Sequence, residues 1–90
     1  MLTIYKYPLK LEENQIIKMP TGAEILTVQL QKNKPVLWAK VDDESPKEES
    51  VMIKLAVTGG ELNACEMLHY LATVQMQHGI VLHCFKVSNH

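Results

Sequence analysis

The chain has no arginine: its nine basic residues are all lysine, set against ten acids, for a net charge of −1. Gripping a nucleic-acid duplex takes a basic face and usually Arg forks for phosphates and guanine edges, so duplex DNA binding is disfavoured. Small anions remain within reach of Lys and backbone N–H groups, without bidentate guanidinium contacts. Long apolar runs are missing as well. No stretch approaches the ~20 residues of a membrane-spanning helix, and the N-terminus lacks the apolar core of a signal peptide. A cytoplasmic protein without a membrane partner is therefore expected. Cysteine is scarce, with only Cys65 and Cys84, far apart in sequence. In a reducing compartment these are expected to be free thiols. Neither C-x₂-C nor H-x₃-H spacing occurs, so no metal and no cofactor is expected.

What is present is a single domain's worth of apolar residue: 90 residues, 47% hydrophobic, enough to exclude disorder of the whole chain. A domain of this size has a stability of roughly 5–13 kcal/mol by the per-residue rule, a thin margin.

Turn signals recur at the short intervals of an all-β fold. Leu2–Tyr7 alternates and stops at Pro8, which suits an edge strand, because proline cannot donate to a ladder. Gln15–Met19 reads as a return strand, and Pro20-Thr21-Gly22 as a β-turn with glycine available for positive φ. Glu24–Gln31 alternates most cleanly, with Leu26, Val28 and Leu30 inward. After the turn Lys32–Pro35, Val36–Val41 sets Leu37, Ala39 and Val41 against Val36, Trp38 and Lys40. Asp42–Ser50 holds five of the ten acids and reads as an exposed loop. Val51–Val57 points Val51, Ile53, Leu55 and Val57 inward, with Met52, Lys54 and Ala56 on the other face, and ends at Thr58-Gly59-Gly60. Glu61–His69 suggests a helical turn or an ordered loop.

The stretch 70–87 reads as a hairpin bent at His78-Gly79, since an X-Gly pair suits a type I′ turn and histidine tolerates positive φ. That bend pairs Val74 with His83 and Ala72 with Phe85. One face then carries Tyr70, Ala72, Val74 and Met76 with Val81, His83, Phe85 and Val87, and is expected to be core. The other carries Leu71, Ile80 and Leu82 among polar residues. So much apolar strand surface rarely stays wet on a monomer, which makes Leu71, Ile80 and Leu82 a candidate homo-oligomer interface.

Candidate chemistry is sparse. His83 and Cys84 are adjacent on a strand, so their side chains point to opposite faces and His83 cannot activate Cys84. Cys65 and His69 would meet on a helix, yet only Glu66 stands near to orient them. An inert thiol and a packed histidine are the simpler reading. The acidic run Asp42-Asp43-Glu44 with Glu48-Glu49 lacks a calcium loop's alternating carboxylates and central glycine, and reads as solvated loop. Pro20-Thr21-Gly22-Ala23 and Thr58-Gly59-Gly60 could offer N–H groups to a phosphate but lack the P-loop pattern; tight turns are the plainer interpretation. Trp38 and Tyr70 could stack on a base, though aromatics on strands are more often core.

Several motifs together carry a family resemblance. They are Lys6-Tyr7-Pro8-Leu9, then Met19-Pro20-Thr21-Gly22-Ala23 leading into Leu26-Thr27-Val28-Gln29, and Leu37-Trp38-Ala39-Lys40-Val41-Asp42. Thr58-Gly59 follows, and the ending runs Tyr70-Leu71-Ala72-Thr73-Val74…Gly79-Ile80-Val81…His83…Phe85. The pattern resembles a family of small phage and prophage proteins of about this length and of largely unknown function. It departs at Leu71-Ala72, where Ile-Gly is expected, and at Leu82, where an aromatic is frequent. The resemblance transfers no catalytic residue; it implies a setting, in which tiny phage proteins often act in host takeover or counter-defence inside the host cytoplasm.

The expected fold is all-β and mainly antiparallel: six or seven short strands in a small sandwich or half-open barrel, with one helical turn near 61–69. The expected function is non-catalytic binding, by sequestration of a cyclic-nucleotide immune signal. Its contacts would be Pro20, Thr21, Gly22, Thr58, Gly59 and Gly60, with Trp38 or Tyr70 stacking and Lys40 or Lys54 near phosphate. The alternative is a protein that binds and inhibits a host defence protein through a sheet edge or apolar face; a small enzyme using His83 or Cys65 and His69 ranks last.

Overall fold

Seven strands follow one another through the chain, each bounded by a turn written in its local sequence. In the computed structural model, which describes residues 1–88, they are β1 (Leu2–Pro8), β2 (Asn14–Pro20), β3 (Glu24–Gln31), β4 (Lys34–Asp42), β5 (Glu48–Val57), β6 (Met67–Gln75) and β7 (Val81–Ser88). All pairings are antiparallel, in a three-stranded sheet ordered β1-β4-β3 and a four-stranded sheet ordered β2-β5-β7-β6. The sheets stack, and the edge strands β3 and β6 run close together on one side, giving a half-open sandwich.

The core lies between the layers. Leu37, Ala39 and Val41 of β4 meet Val51, Ile53 and Leu55 of β5, all buried, with Met19, Val28, Val74, Leu82 and Cys84 around them. Alternation on β4 and β5 therefore reads faithfully, except that Val57 is exposed at the end of β5. Lys32 and Asn33, both at positive φ (52° and 60°), form the two-residue turn between β3 and β4. Pro35 consequently lies inside the central strand β4. Its missing N–H takes nothing from the pairing with β3, because Pro35 faces the β1 side, where Leu9, just past the end of β1, donates its N–H to the Pro35 carbonyl at 2.9 Å.

Two sequence expectations fail here for identifiable reasons, and a third is settled between its two alternatives. On β3 a bulge between Ile25 and Thr27 turns Ile25 toward the core and leaves Leu26 exposed, reversing their expected faces. Residues 61–66 form an ordered loop: the Asn63 side-chain oxygen accepts from the Cys65 N–H (2.9 Å) and its carbonyl from the Glu66 N–H (3.1 Å), and β6 begins at Met67. The one helical turn among the described residues is a 3₁₀ segment, Gln77–Gly79, in the β6–β7 connection.

That turn causes the second failure. His78 (φ 65°) and Gly79 (φ 75°) do take positive φ, but Gln77 joins the loop, and the Met76 N–H donates to the Ile80 carbonyl at 2.7 Å. The pairing becomes Val74↔Leu82, Thr73↔His83 and Ala72↔Cys84, one residue from the expected register. Since side chains alternate with period two, every β7 residue changes face. Leu82 and Cys84 are core; Val81, His83 and Phe85 lie on the outer face of the four-stranded sheet. A bulge between Tyr70 and Ala72 completes the change, packing Leu71 against the core and leaving Tyr70 outside.

Burial in the core pushes the Cys84 thiol from 9.0 up to about 11. As pH rises past 9 the unfolded chain loses this proton first, so stability falls between pH 9 and about 11 and is untouched below 9. Cys65 is exposed. Thiol titration at neutral pH is expected to show one fast equivalent in the native protein and two in denaturant; two fast native equivalents would contradict this packing.

Candidate functional site

The strand register sets ordered rows of side chains across the outer face of the four-stranded sheet. One row is apolar: Ile16, Met52, Val87 and Leu68. The next runs Asn14, Lys54, Phe85 and Tyr70, and the third Ala56, His83 and Thr73.

His83 is the hub. Its Nε2 lies 2.7 Å from Thr58 Oγ1 and its Nδ1 3.1 Å from Thr73 Oγ1, which is in turn 2.7 Å from the Tyr70 hydroxyl. The Tyr70 ring packs edge-on against Phe85 with centroids 5.9 Å apart. Four groups from β6, β7 and the turn after β5 thus form one hydrogen-bonded chain beside aromatic surface. A hydroxyl within reach of an imidazole is the first geometric requirement for a nucleophile and its base. Here Thr73 occupies the other ring nitrogen, where a carboxylate would be needed to stabilise an imidazolium.

Beside this chain Lys54 is buried, although it lies on the outer face. Residues 61–66 pass over it, and Glu66 pairs with its ammonium. The carboxylate oxygen making that contact is itself buried, with no other partner.

The residues singled out from sequence do not gather. Trp38 and Lys40 sit on the outer face of the three-stranded sheet, where Lys40 pairs with Glu24 at 3.1 Å. Lys54, Thr58 and Tyr70 sit on the opposite outer face, with both sheets between, a separation of about 10 Å for the layers alone. Pro20–Gly22 adjoins the start of β5 and Thr58–Gly60 its end, so ten residues of strand part them, roughly 30 Å. In the first turn the Thr21 N–H donates to Lys47 (2.9 Å) and the Ala23 N–H to Pro20 (3.1 Å). The Gly60 N–H closes the second on Val57 at 3.0 Å. Beside Gly60 is an apolar hollow of about 260 Å³ lined by Leu11, Leu55, Val57 and Leu82, with Glu12, Glu13 and Glu61 also on its wall. Three carboxylates there repel a phosphate.

Of the expected interface, Leu82 is buried in the core and Leu71 packs against it; only Ile80 is open to solvent. The shared face dissolves with the register shift. His83 and Cys84 do point apart, and Cys65 and His69 are not brought together on a helix, because β6 has already begun.

The acidic run has another use. The Met1 α-amine lies 3.1, 3.0 and 2.7 Å from carboxylates of Asp42, Asp43 and Glu44. Those bonds, Glu44's foremost, raise the amine to about 10, while the Glu44 N–H and then the amine lower Asp42. Among the described residues no group of three or more His, Cys, Asp or Glu could hold a metal ion. No helix there is long and apolar enough to cross a membrane.

Fold and surface together define a small two-layer antiparallel β protein whose polar cluster lies on a sheet face rather than in a cleft. The chain belongs to a family described as a domain of unknown function, DUF7352, which matches residues 1–90. No curated protein and no solved structure matches it.

Proposed function

We propose that this chain is a non-catalytic binding protein that takes a partner protein on the outer face of its four-stranded sheet. The observation that carries this reading is the His83 chain set beside the Phe85 and Tyr70 rings, with the apolar row through Ile16 and Met52 on the far side of those rings. Tyrosine beside apolar surface and satisfiable polar groups is the composition of an interface centre. The phage setting implied by the family resemblance makes the partner a host defence protein.

Capture from host lysate with the purified chain is the test. A stoichiometric partner is expected, lost at least 30-fold in affinity with Tyr70→Ala and retained with Trp38→Ala on the opposite face, since a central aromatic contributes about 2 kcal/mol or more. No partner, or equal loss in both variants, would remove the reading.

A second reading keeps the cyclic-nucleotide signal. The Tyr70 ring beside the Thr58 and Thr73 hydroxyls favours it, as a base could stack there and hydrogen-bond to the chain. Against it stand the missing arginines and the engagement of Lys54 with Glu66. Thermal shift with cyclic di- and trinucleotides decides: no shift at saturating ligand ends it.

A further inference from the structure

From the free edge of β1 we infer that the chain pairs with a second copy of itself, the two β1 strands running antiparallel about Ile4. The sandwich has four edge strands. β3 and β6 face one another and each carries a bulge, which spoils both for pairing. β2 presents Asn14 and Lys18 around a single large apolar residue, Ile16. β1 is regular throughout, and Leu2 and Ile4 are 68% and 58% exposed.

The ladder parity shows which backbone groups are free. Leu9 donates to Pro35 and Asp43 to Met1, so the odd-numbered residues of β1 direct N–H and C=O toward β4. Leu2, Ile4 and Lys6 therefore direct theirs away from the sheet, where β1 has no neighbour. A two-fold axis at Ile4 sets Ile4 against Ile4 of the other copy and Leu2 against Lys6, forming about six backbone hydrogen bonds. Pro8, which has no N–H to offer, falls outside this segment.

Charge selects the same register. Lys6 is the one charged residue of β1. In the pairing it lies beside Leu2 of the second copy, whose β4 neighbour is Asp42, the first of the Asp42-Asp43-Glu44 carboxylates. The contact occurs twice by symmetry, and a parallel or shifted pairing loses it. The product is a continuous six-stranded sheet, far from the His83 face.

Analytical ultracentrifugation of the intact chain is expected to give about twice the 10.2 kDa of one chain at sub-millimolar concentration. Ile4→Pro removes only an outward N–H, so it is expected to leave a folded monomer. Lys6→Glu is expected to weaken the dimer at least tenfold without lowering the melting temperature, and a variant with Asp42, Asp43 and Glu44 changed to Lys restores pairing when mixed with it. Amide exchange reads the edge directly: protection of Leu2, Ile4 and Lys6 should fall on dilution while Thr3, Tyr5 and Tyr7 stay protected. A monomer at every concentration, or a dimer indifferent to both Ile4→Pro and Lys6→Glu, overturns the inference. Loss of dimer leaves the partner face intact, so this failure and that of the proposed function are separable.

Discussion

Leucine in place of Glu66 is expected to cost about 3 kcal/mol, a large share of the margin of so small a domain. The Lys54 ammonium is almost wholly shielded from water, and Glu66 is the group that neutralises it. Removing the carboxylate leaves a buried cation, which is worse than having no pair at all. Lys54→Met alone should cost less, because Glu66 keeps a route to solvent with a side chain 20% exposed. Changing both together is expected to return stability to within about 1 kcal/mol of the native chain, as apolar replacements of buried ion pairs commonly do. Urea unfolding of the three variants measures the coupling. Additive losses would mean that the pair is not shielded and that residues 61–66 do not close over the sheet.

The second large effect is in the core. Ile53→Ala is expected to cost about 2–5 kcal/mol, through lost burial and a residual cavity between the layers. For a domain of this size each kcal/mol lowers the melting temperature by about 4–8 °C, so the fall should be at least about 8 °C. The informative contrast is on β3. Ile25→Ala should destabilise clearly and Leu26→Ala by no more than about 0.5 kcal/mol, because the bulge has exchanged their faces. The reverse order would restore the uninterrupted alternation.

These contrasts mark where the chain can be read and where it cannot. Leu37, Ala39 and Val41, like Val51, Ile53 and Leu55, declare their faces through strict alternation, and the all-β architecture follows from turns at short intervals. The β6–β7 register is not legible locally, because Gln77 joins the loop and meets a residue distant in sequence. Asn33, in the turn between β3 and β4, accepts the Gln77 N–H on its side-chain oxygen at 3.1 Å. That bond ties Gln77 to the neighbouring turn, and no local pattern around His78-Gly79 announces it. The bulges at Ile25 and Leu71 are similarly set by packing across strands.

The candidate site suffered from the same displacement. Thr58 and Tyr70 are visible in the sequence as turn and aromatic residues, but local alternation sends the histidine that links them to the interior. Alternation puts Lys54 on its observed face, while its partner Glu66 comes from a loop that carries no periodic signal. Trp38 and Lys40 share a strand face with each other and with nothing in the His83 cluster.

The hairpin register decides all of this, and one spectrum tests it. Opposed residues in a non-hydrogen-bonded antiparallel pair bring their Cα atoms closest, so their α-protons give strong cross-peaks. Thr73 with His83 and Gln75 with Val81 should show such peaks in a nuclear Overhauser spectrum of the native protein. Peaks joining Val74 to His83 instead would return the imidazole to the interior, exchange the two faces of β7, and leave no His83 cluster for a partner to meet.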